Sequence, residues 1–296
     1  MKKRITGYLM PKTKKYVFFI SCICLLSASL WIFSMSTNET GAPHSETDIR
    51  LPVLMYHSVL DNQARVGKYV ILPEELEKDL QYIKERGYVT ITVSDLLAYK
   101  EQNKPLPEKP IMLTFDDGYY NNYSYLFPLL KKYDMKAVLS VVGTYADAYS
   151  KEGEMLNNNY SHATWTQLKE MQQSGYVEIG NHSYNMHDWS TRRGVLRNKG
   201  EDLAYYQNIL QDDLHKMQEK LKINIGLESL VFTYPFGSVN EESREVVEGM
   251  GFQVTLGCEE GMNFINKSST FKEIKRYNRA GDADRTKFFA RIEAEK

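Results

Sequence analysis

The sequence predicts an α/β barrel of about seven strands, preceded by one N-terminal transmembrane helix. Two observations carry this prediction. Residues 17–38 are almost wholly apolar and contain no charged residue, and from Leu51 onward short apolar runs alternate with helical patterns. The chain has 296 residues, of which 25% are charged and 42% hydrophobic. These values are typical of globular proteins and exclude a disordered chain, a collagen or a coiled coil.

The apolar run at 17–38 predicts a membrane anchor, because about 20 apolar residues span the hydrocarbon core. Residues 1–16 carry six positive charges and no acid, which places this segment in the cytoplasm by the positive-inside rule. We therefore expect a single-pass protein of the cell membrane, with residues 39–50 as a tether and residues 51–296 as an extracellular domain. Small residues at 27–29 leave a cleaved signal peptide, and hence a secreted form, as the alternative.

Charge and cysteine content exclude further classes. Subtracting the six positive charges of the first segment from the net charge of −1 leaves −7 for the rest of the chain. An acidic domain argues against nucleic acid as a partner. The three cysteines do not make a disulfide framework, and Cys258, which alone follows the apolar run, is expected to be an inert buried thiol.

The first half of the domain predicts four strands and three helices. The predicted strands are 51–56, 88–93, 110–115 and 136–142. The predicted helices are 73–86, 94–102 and 121–133. Pro73 suits the first turn of the first helix and Gly87 ends it, while Pro128 predicts a kink near the middle of the third.

The second half continues the alternation. The predicted strands are 177–180, 230–234, 252–256 and one near Ile274. The predicted helices are 166–174, 202–221, 241–249 and one after Asp284. Strands separated by helices imply parallel βα units, and about seven such units suggest a barrel in a single domain.

Polar residues follow four of these strands, at the ends where parallel βα folds gather their functional groups. They are His57, Asp116, Asp117, His182 and the segment 234–237. We expect them to open onto one mouth of the barrel although they are far apart in sequence.

Two of these clusters favour a metal site. Asp116 and Asp117 repel each other unless a positive partner lies nearby, and on extended backbone they point to opposite sides and divide their roles. A solvated Asp-Asp-Gly turn is the alternative. His182 and His187 converge if the first ends a strand and the second lies on the following turn. Together with one aspartate they would leave coordination positions open for hydrolytic chemistry.

These motifs resemble the polysaccharide deacetylases of carbohydrate esterase family 4. The similarity rests on TFDDG at 114–118, H-x4-H at 182–187, YPFG at 234–237 and the stretch 164–175, and it covers roughly 51–296. The resemblance implies a deformed (β/α) barrel that removes acetyl groups from polysaccharides with a divalent metal. Zinc is the expected metal, and cobalt, nickel or iron are the alternatives.

The order of the motifs indicates which branch of this family the sequence resembles. The family usually carries an L-x-x-H motif near the C-terminus, whereas here it lies at 54–57, as in a circularly permuted barrel. This order and the longer H-x4-H resemble the IcaB/PgaB branch, which partially de-N-acetylates poly-β-1,6-N-acetylglucosamine at the cell surface. The alternatives are a peptidoglycan or chitin-oligosaccharide deacetylase, and a non-catalytic polysaccharide-binding protein.

The resemblance also implies roles for individual residues. Asp116 would be the catalytic base, His57 the acid, and the backbone N–H of Phe236 a donor to the oxyanion. The metal ligands would be Asp117, His182 and His187. For His57, a core histidine on a strand is the alternative.

Two departures from the family pattern stand out. The family commonly has R-x-P-Y, whose arginine holds the catalytic aspartate, but residues 233–236 read TYPF. Arg276 is the candidate replacement and Arg279 the second, with two surface arginines as the alternative. The family's motif with an Asp and a Trp has no clear counterpart. As partners we expect a polysaccharide substrate and the lipid bilayer, contacted through the N-terminal helix, and we expect a monomer.

Overall fold

The computed structural model describes residues 48–151 and 155–295, which belong to one compact unit, Thr47–Lys296. The predicted cytoplasmic segment 1–16, the signal-anchor 17–38 and most of the tether lie outside the described residues. Among the described residues, no helix combines the length and the apolar character needed to cross a membrane.

The strands form one central sheet and two short ladders. In chain order they are β1 (Ile49–Leu51), β2 (Val53–Tyr56), β3 (Ser58–Val59), β4 (Val70–Ile71), β5 (Val89–Ile91), β6 (Pro110–Phe115), β7 (Ala137–Val141), β8 (Val177–Asn181), β9 (Val231–Thr233), β10 (Val254–Leu256), β11 (Asn263–Ile265) and β12 (Tyr277–Asn278). The central sheet has the order β10-β9-β8-β7-β6-β2-β12, and β5 also pairs with β6. All of its pairs are parallel.

Helices connect most of these strands. In chain order they are α1 (Pro73–Glu85), α2 (Val93–Gln102), α3 (Phe127–Tyr133), α4 (Gly143–Tyr149), α5 (Trp165–Gln173), α6 (Leu203–Asn224), α7 (Glu241–Gly249) and α8 (Arg285–Ala294). Local sequence explains their starts: Pro73 opens α1, Thr164 and Gln167 form a capping box on α5, and the Asp202 side chain caps α6.

The central sheet is buried and curled. Every residue of β6 and β7 is buried, as expected for parallel strands covered on both faces. A parallel bridge joins Ile274 to Leu256 of β10, while β12, three residues further on, pairs with β2. The segment before β12 therefore contacts the opposite end of the sheet, which curls the sheet into a half-barrel. This confirms the predicted α/β class and the predicted parallel sheet.

The structure differs from the predicted elements at several places, including the short strands β3, β4 and β11, which match no predicted strand. Ile49 and Arg50 belong to β1, which pairs antiparallel with β11, so the first strand begins two residues before the predicted boundary at Leu51. The helix α4 was not predicted. The predicted helix 121–133 is a π-helical turn, Asn122–Leu126, followed by α3, so that Pro128 lies in a first turn, where no N–H is needed.

Candidate active site

The carboxyl ends of β2, β6, β8 and β9 lead into polar segments that meet in one cleft. The cleft has a volume of about 710 Å³. Six of the seven predicted site residues line it, and the seventh, Arg276, lies behind its wall. The six are His57, Asp116, Asp117, His182, His187 and Phe236.

Asp117, His182 and His187 form a candidate metal site. Ligand atoms of all three lie within 4.8 Å of one another. The Nε2 atoms of His182 and His187 lie 3.5 and 3.2 Å from Oδ1 of Asp117. That oxygen is buried and has no hydrogen-bond partner among the described residues. A buried, unsatisfied carboxylate oxygen that faces two imidazole nitrogens fits the donor set of a divalent metal such as zinc.

A neighbouring backbone group orients one of these histidines. Nδ1 of His182 lies 2.7 Å from the carbonyl oxygen of Thr233. Because a carbonyl only accepts, Nδ1 carries a proton, and Nε2 is the nitrogen left to face Asp117. The ring of His187 packs against Phe236, with centroids 4.3 Å apart. Both imidazoles are thus held by contacts with residues other than the three candidate metal ligands.

The charge states also suit a metal. Burial, helped by the nearby His182, lowers the pKa of His187 to about 4 and keeps this imidazole neutral. Burial acts to raise the pKa of Asp117, but the contact with His182 and the neighbouring histidines outweigh it and hold the pKa well below its usual value. Neutral imidazole and ionised carboxylate are the forms that bind metals.

Asp116 points the other way, to Arg276. Nη1 and Nη2 of Arg276 donate to the two oxygens of Asp116 at 2.8 and 2.9 Å. The guanidinium also donates to Thr114 Oγ1 and the Gly257 carbonyl, and the Arg276 side chain is 0% exposed. Burial acts to raise the pKa of Asp116, but the Arg276 charge outweighs it and lowers the pKa.

The second candidate arginine has another partner. Arg279 donates from Nε and Nη2 to Asp79 at 2.9 and 3.2 Å. Tyr56 also donates to Asp79, which ties α1 to the end of β2. Both Arg276 and Arg279 are buried, which excludes the alternative of two surface arginines.

His57 lies in the cleft wall beside Asp116. Its Nε2 is 4.0 Å from Asp116 Oδ2, and its Nδ1 has no partner among the described residues. The Asn122 side chain donates to the backbone carbonyl of His57 at 2.9 Å, and the ring packs against Tyr69 at 4.6 Å between centroids. Burial lowers the pKa of His57, so the imidazole must gain a proton before it can act as an acid.

Three residues in or beside the site have left-handed backbone, which residues other than glycine rarely adopt. They are Asp117 (φ 70°), Ser183 (φ 71°) and Phe236 (φ 59°). At Asp117 this conformation turns the chain directly after Asp116, so the two carboxylates diverge. Gly118 is also left-handed, and a Cβ there would lie 2.7 Å from Val141 Cγ1. The turn after β6 therefore requires glycine.

The cleft has an aromatic rim whose residues the sequence motifs do not identify. Trp189 is 62% exposed and packs on Phe236 at 4.8 Å between centroids, and Tyr69 is 48% exposed on the side of His57. Both line the cleft, and the only sequence signal was that Trp189 follows His187 by two residues. Cys258, expected to be buried, is partly exposed in the cleft wall, with Sγ 3.8 Å from Nη2 of Arg276.

Comparison with protein families agrees with this geometry. The family model described as "Polysaccharide deacetylase" matches residues 103–255, more than half of the chain. The chain belongs to the polysaccharide deacetylase family.

Individual relatives give a finer comparison. The chain is 28% identical over 227 residues to the poly-beta-1,6-N-acetyl-D-glucosamine N-deacetylase of Escherichia coli (strain K12), covering 71% of this chain and 34% of that protein. It thus spans about a third of that relative's length.

Solved structures share the fold. A de-N-acetylase from Aggregatibacter actinomycetemcomitans matches with a TM-score of 0.70 and 24% identity, over 82% of this chain and 99% of that one. IcaB from Ammonifex degensii matches with a TM-score of 0.63 and 25% identity, over 83% and 96% of the two chains.

Proposed function

We propose that this protein is a metal-dependent hydrolase that removes N-acetyl groups from a cell-surface polymer, poly-β-1,6-N-acetylglucosamine. The observation that supports the proposal is that the two adjacent carboxylates face different partners. Asp117 faces His182 and His187, whereas Asp116 faces Arg276 and His57. One cleft therefore holds a metal-binding trio beside a separate base and acid.

The residues that would hold the metal are Asp117, His182 and His187, and zinc is the metal we propose. Three protein ligands leave a coordination position open, as in catalytic zinc sites. When bound, the metal supplies Lewis-acid polarisation of the acetyl carbonyl and acidification of water.

The other residues of the cleft move protons and stabilise charge. Asp116, kept ionised by Arg276, is placed to accept a proton from the attacking water at Oδ2. His57 Nε2, 4.0 Å from that oxygen, is placed to protonate the departing nitrogen. Pro235 has no N–H, so the amide of Phe236 is the first donor on the turn after β9 that can face a developing oxyanion.

Three features support the β-1,6-linked substrate. The L-x-x-H motif begins on β2 and ends at His57 directly after it, at the start of the domain, which fits a circular permutation of the family's barrel. The E. coli relative carries the name of this substrate. The exposed rings of Trp189 and Tyr69 offer apolar faces against which sugar rings can pack on either side of the cleft.

The first 38 residues support a proposal for the position of the protein in the cell. We propose a monomer anchored by a single pass through the membrane at 17–38, with the catalytic domain on the extracellular side. The support is the length of the apolar run and the six preceding positive charges.

Amine release tests the proposed function. The full chain, purified in detergent, is given β-1,6- and β-1,4-linked N-acetylglucosamine oligomers, with and without chelator. Chelator-sensitive release from the β-1,6 oligomers alone is the expected result. Release from the β-1,4 oligomers alone would keep the chemistry and overturn the substrate. No release from either, with zinc demonstrably bound, would favour a non-catalytic polysaccharide-binding protein.

A further inference from the structure

The segment between the two candidate metal-ligating histidines is held at every backbone N–H from residue 182 to residue 186. These five amides have acceptors at 2.8 to 3.0 Å. The acceptors are Val141 O for His182, Asn181 Oδ1 for Ser183, Asp213 for Tyr184 and Asn185, and Ser183 Oγ for Met186. An irregular loop is thereby given one conformation.

Two of the five acceptors come from one remote side chain. Asp213 on α6 accepts from Tyr184 N at Oδ1 and from Asn185 N at Oδ2, both at 2.8 Å. Burial raises the pKa of Asp213 to about 6, so it is ionised at neutral pH and both oxygens accept. The other acceptors belong to the loop itself, to the end of β8, or to the neighbouring strand β7. Among the acceptors of these five amides, Asp213 alone lies on a helix.

Tyr184, in the middle of the loop between the two histidines, is held by several further contacts. Its carbonyl accepts from Thr144 N at 2.8 Å, and its hydroxyl donates to Asp147 at 2.9 Å. The Lys216 ammonium lies 3.9 Å from the ring centroid. A side chain at Gly143 would place Cβ 2.6 Å from Tyr184 Cδ2, so the ring packs directly on backbone. α4 and α6 thus hold the loop from two sides.

We propose that Asp213 is a positioning residue that holds the 183–186 loop and thereby sets how tightly His182 and His187 bind a divalent metal together. The two histidines stand five positions apart, so the loop between them decides where the second imidazole lies. Without Asp213, two backbone N–H groups lose their acceptors, and the loop gains conformations in which the Nε2 atoms no longer face Asp117. The proposal rests on the proposed function only through the metal site.

Zinc affinity is the direct test. The full chain is stripped with chelator, and its Kd for Zn²⁺ is measured by competition with a chromogenic chelator. Asp213→Ala is expected to weaken zinc binding about ten- to hundredfold, the usual effect of removing a group that orients a ligand. Asp213→Asn is expected to fall between wild type and Asp213→Ala, because the amide keeps one carbonyl oxygen as an acceptor.

The adjacent residue provides the matched control. Asp212 is exposed on the same helix, so Asp212→Ala and Asp212→Asn remove the same charge without touching the loop. Both are expected to bind zinc like wild type. The thermal midpoint of each zinc-free variant reports folding, and at saturating zinc the kcat of Asp213→Asn is expected to return to near the wild-type value.

Two results would overturn the proposal. The first is a folded Asp213→Ala variant with wild-type zinc affinity. If Asp213→Ala does not fold, the second is an Asp213→Asn variant that binds zinc as tightly as Asp212→Asn. Failure of the proposed function can be told apart from failure of this proposal. If the protein releases no amine but its zinc affinity depends on Asp213, the proposed function fails and this proposal stands.

Discussion

Arg276 and Asp116, 160 positions apart in the sequence, are joined by two parallel hydrogen bonds of 2.8 and 2.9 Å. The planar guanidinium matches the carboxylate and is fully buried. The family pattern that this sequence resembles supplies such an arginine from the segment at 233–236. Here the same contact is made by a residue directly before β12, where the sheet curls back toward β6.

Replacing Arg276 tests whether it keeps Asp116 ionised. In Arg276→Lys the ammonium cannot form the two parallel hydrogen bonds that lower the pKa of Asp116. Because burial still acts to raise this pKa, we expect it to be higher in the variant than in wild type. The acid limb of the kcat/KM profile should therefore move to higher pH, and kcat should fall. The measurement is amine release as a function of pH.

Arg279→Lys is the matched control for that profile. It changes another buried pair, with Asp79, that lies away from the cleft. We expect a lower thermal midpoint and an unshifted acid limb. Equal shifts in both variants would mean that the effect is general destabilisation.

Asp116→Asn should separate catalysis from metal binding. The amide has no basic oxygen, so kcat should fall by at least about 10²-fold. Zinc affinity should stay within a few-fold of wild type, because Asp117, His182 and His187 are unchanged. Amine release and zinc titration check both parts. Loss of zinc binding in Asp116→Asn would instead show that the two aspartates have exchanged roles.

His57→Gln should remove the proton donor. We expect kcat to fall by about 10²- to 10⁴-fold while zinc binding persists. His215→Gln is the control, because His215 is exposed on α6 and outside the cleft. A His57→Gln variant with full activity would eliminate this residue as the acid.

Metal removal should affect both activity and stability. Chelator should abolish amine release and added zinc should restore it. Zinc at a thousandfold excess over its Kd should raise the free energy of unfolding by about 4 kcal/mol. Calorimetry with and without zinc measures this gain, and Asp117→Asn should show little of it. A zinc-dependent gain that is unchanged in Asp117→Asn would place the metal elsewhere.

His162 should make stability fall in mild acid. Burial lowers its pKa to about 4, and its ring packs against Tyr119 and Tyr145. In the unfolded chain His162 binds a proton near its ordinary pKa of 6.5, whereas in the folded protein it does so only near pH 4. The folded state is therefore not penalised by His162 above pH 6.5, and it loses stability to the unfolded state as pH falls toward 4. The loss should reach about 2 kcal/mol at pH 5.

The variant His162→Phe keeps an aromatic ring and cannot titrate. Its free energy of unfolding should depend less on pH between 7.5 and 5 than that of wild type. His215→Phe makes the same replacement at an exposed position and should retain the wild-type slope. Identical slopes for all three proteins would show that His162 does not carry the effect.

Much of the fold was predictable because it follows from local patterns. Alternating apolar runs, Pro73 at a helix start and Gly87 after a helix end are features of neighbouring residues. The missed pieces depend on distant partners. α4 was one of them: the backbone N–H groups of Gly143 and Thr144, at its start, donate to Ser183 and Tyr184, far along the chain. β1 pairs with β11 across more than two hundred residues.

Local sequence patterns specify which chemical groups stand at the strand ends, because alternating strands and helices form a parallel sheet whose strand ends lie on one side. His57, the two aspartates and the two histidines followed from that rule. Tertiary packing determines that Arg276 rather than Arg279 meets Asp116, that Trp189 and Tyr69 form the rim, and that Asp213 contacts the loop between the histidines. Each of these contacts joins residues whose distance is set by the curl of the sheet and the packing of helices, and no local pattern encodes it.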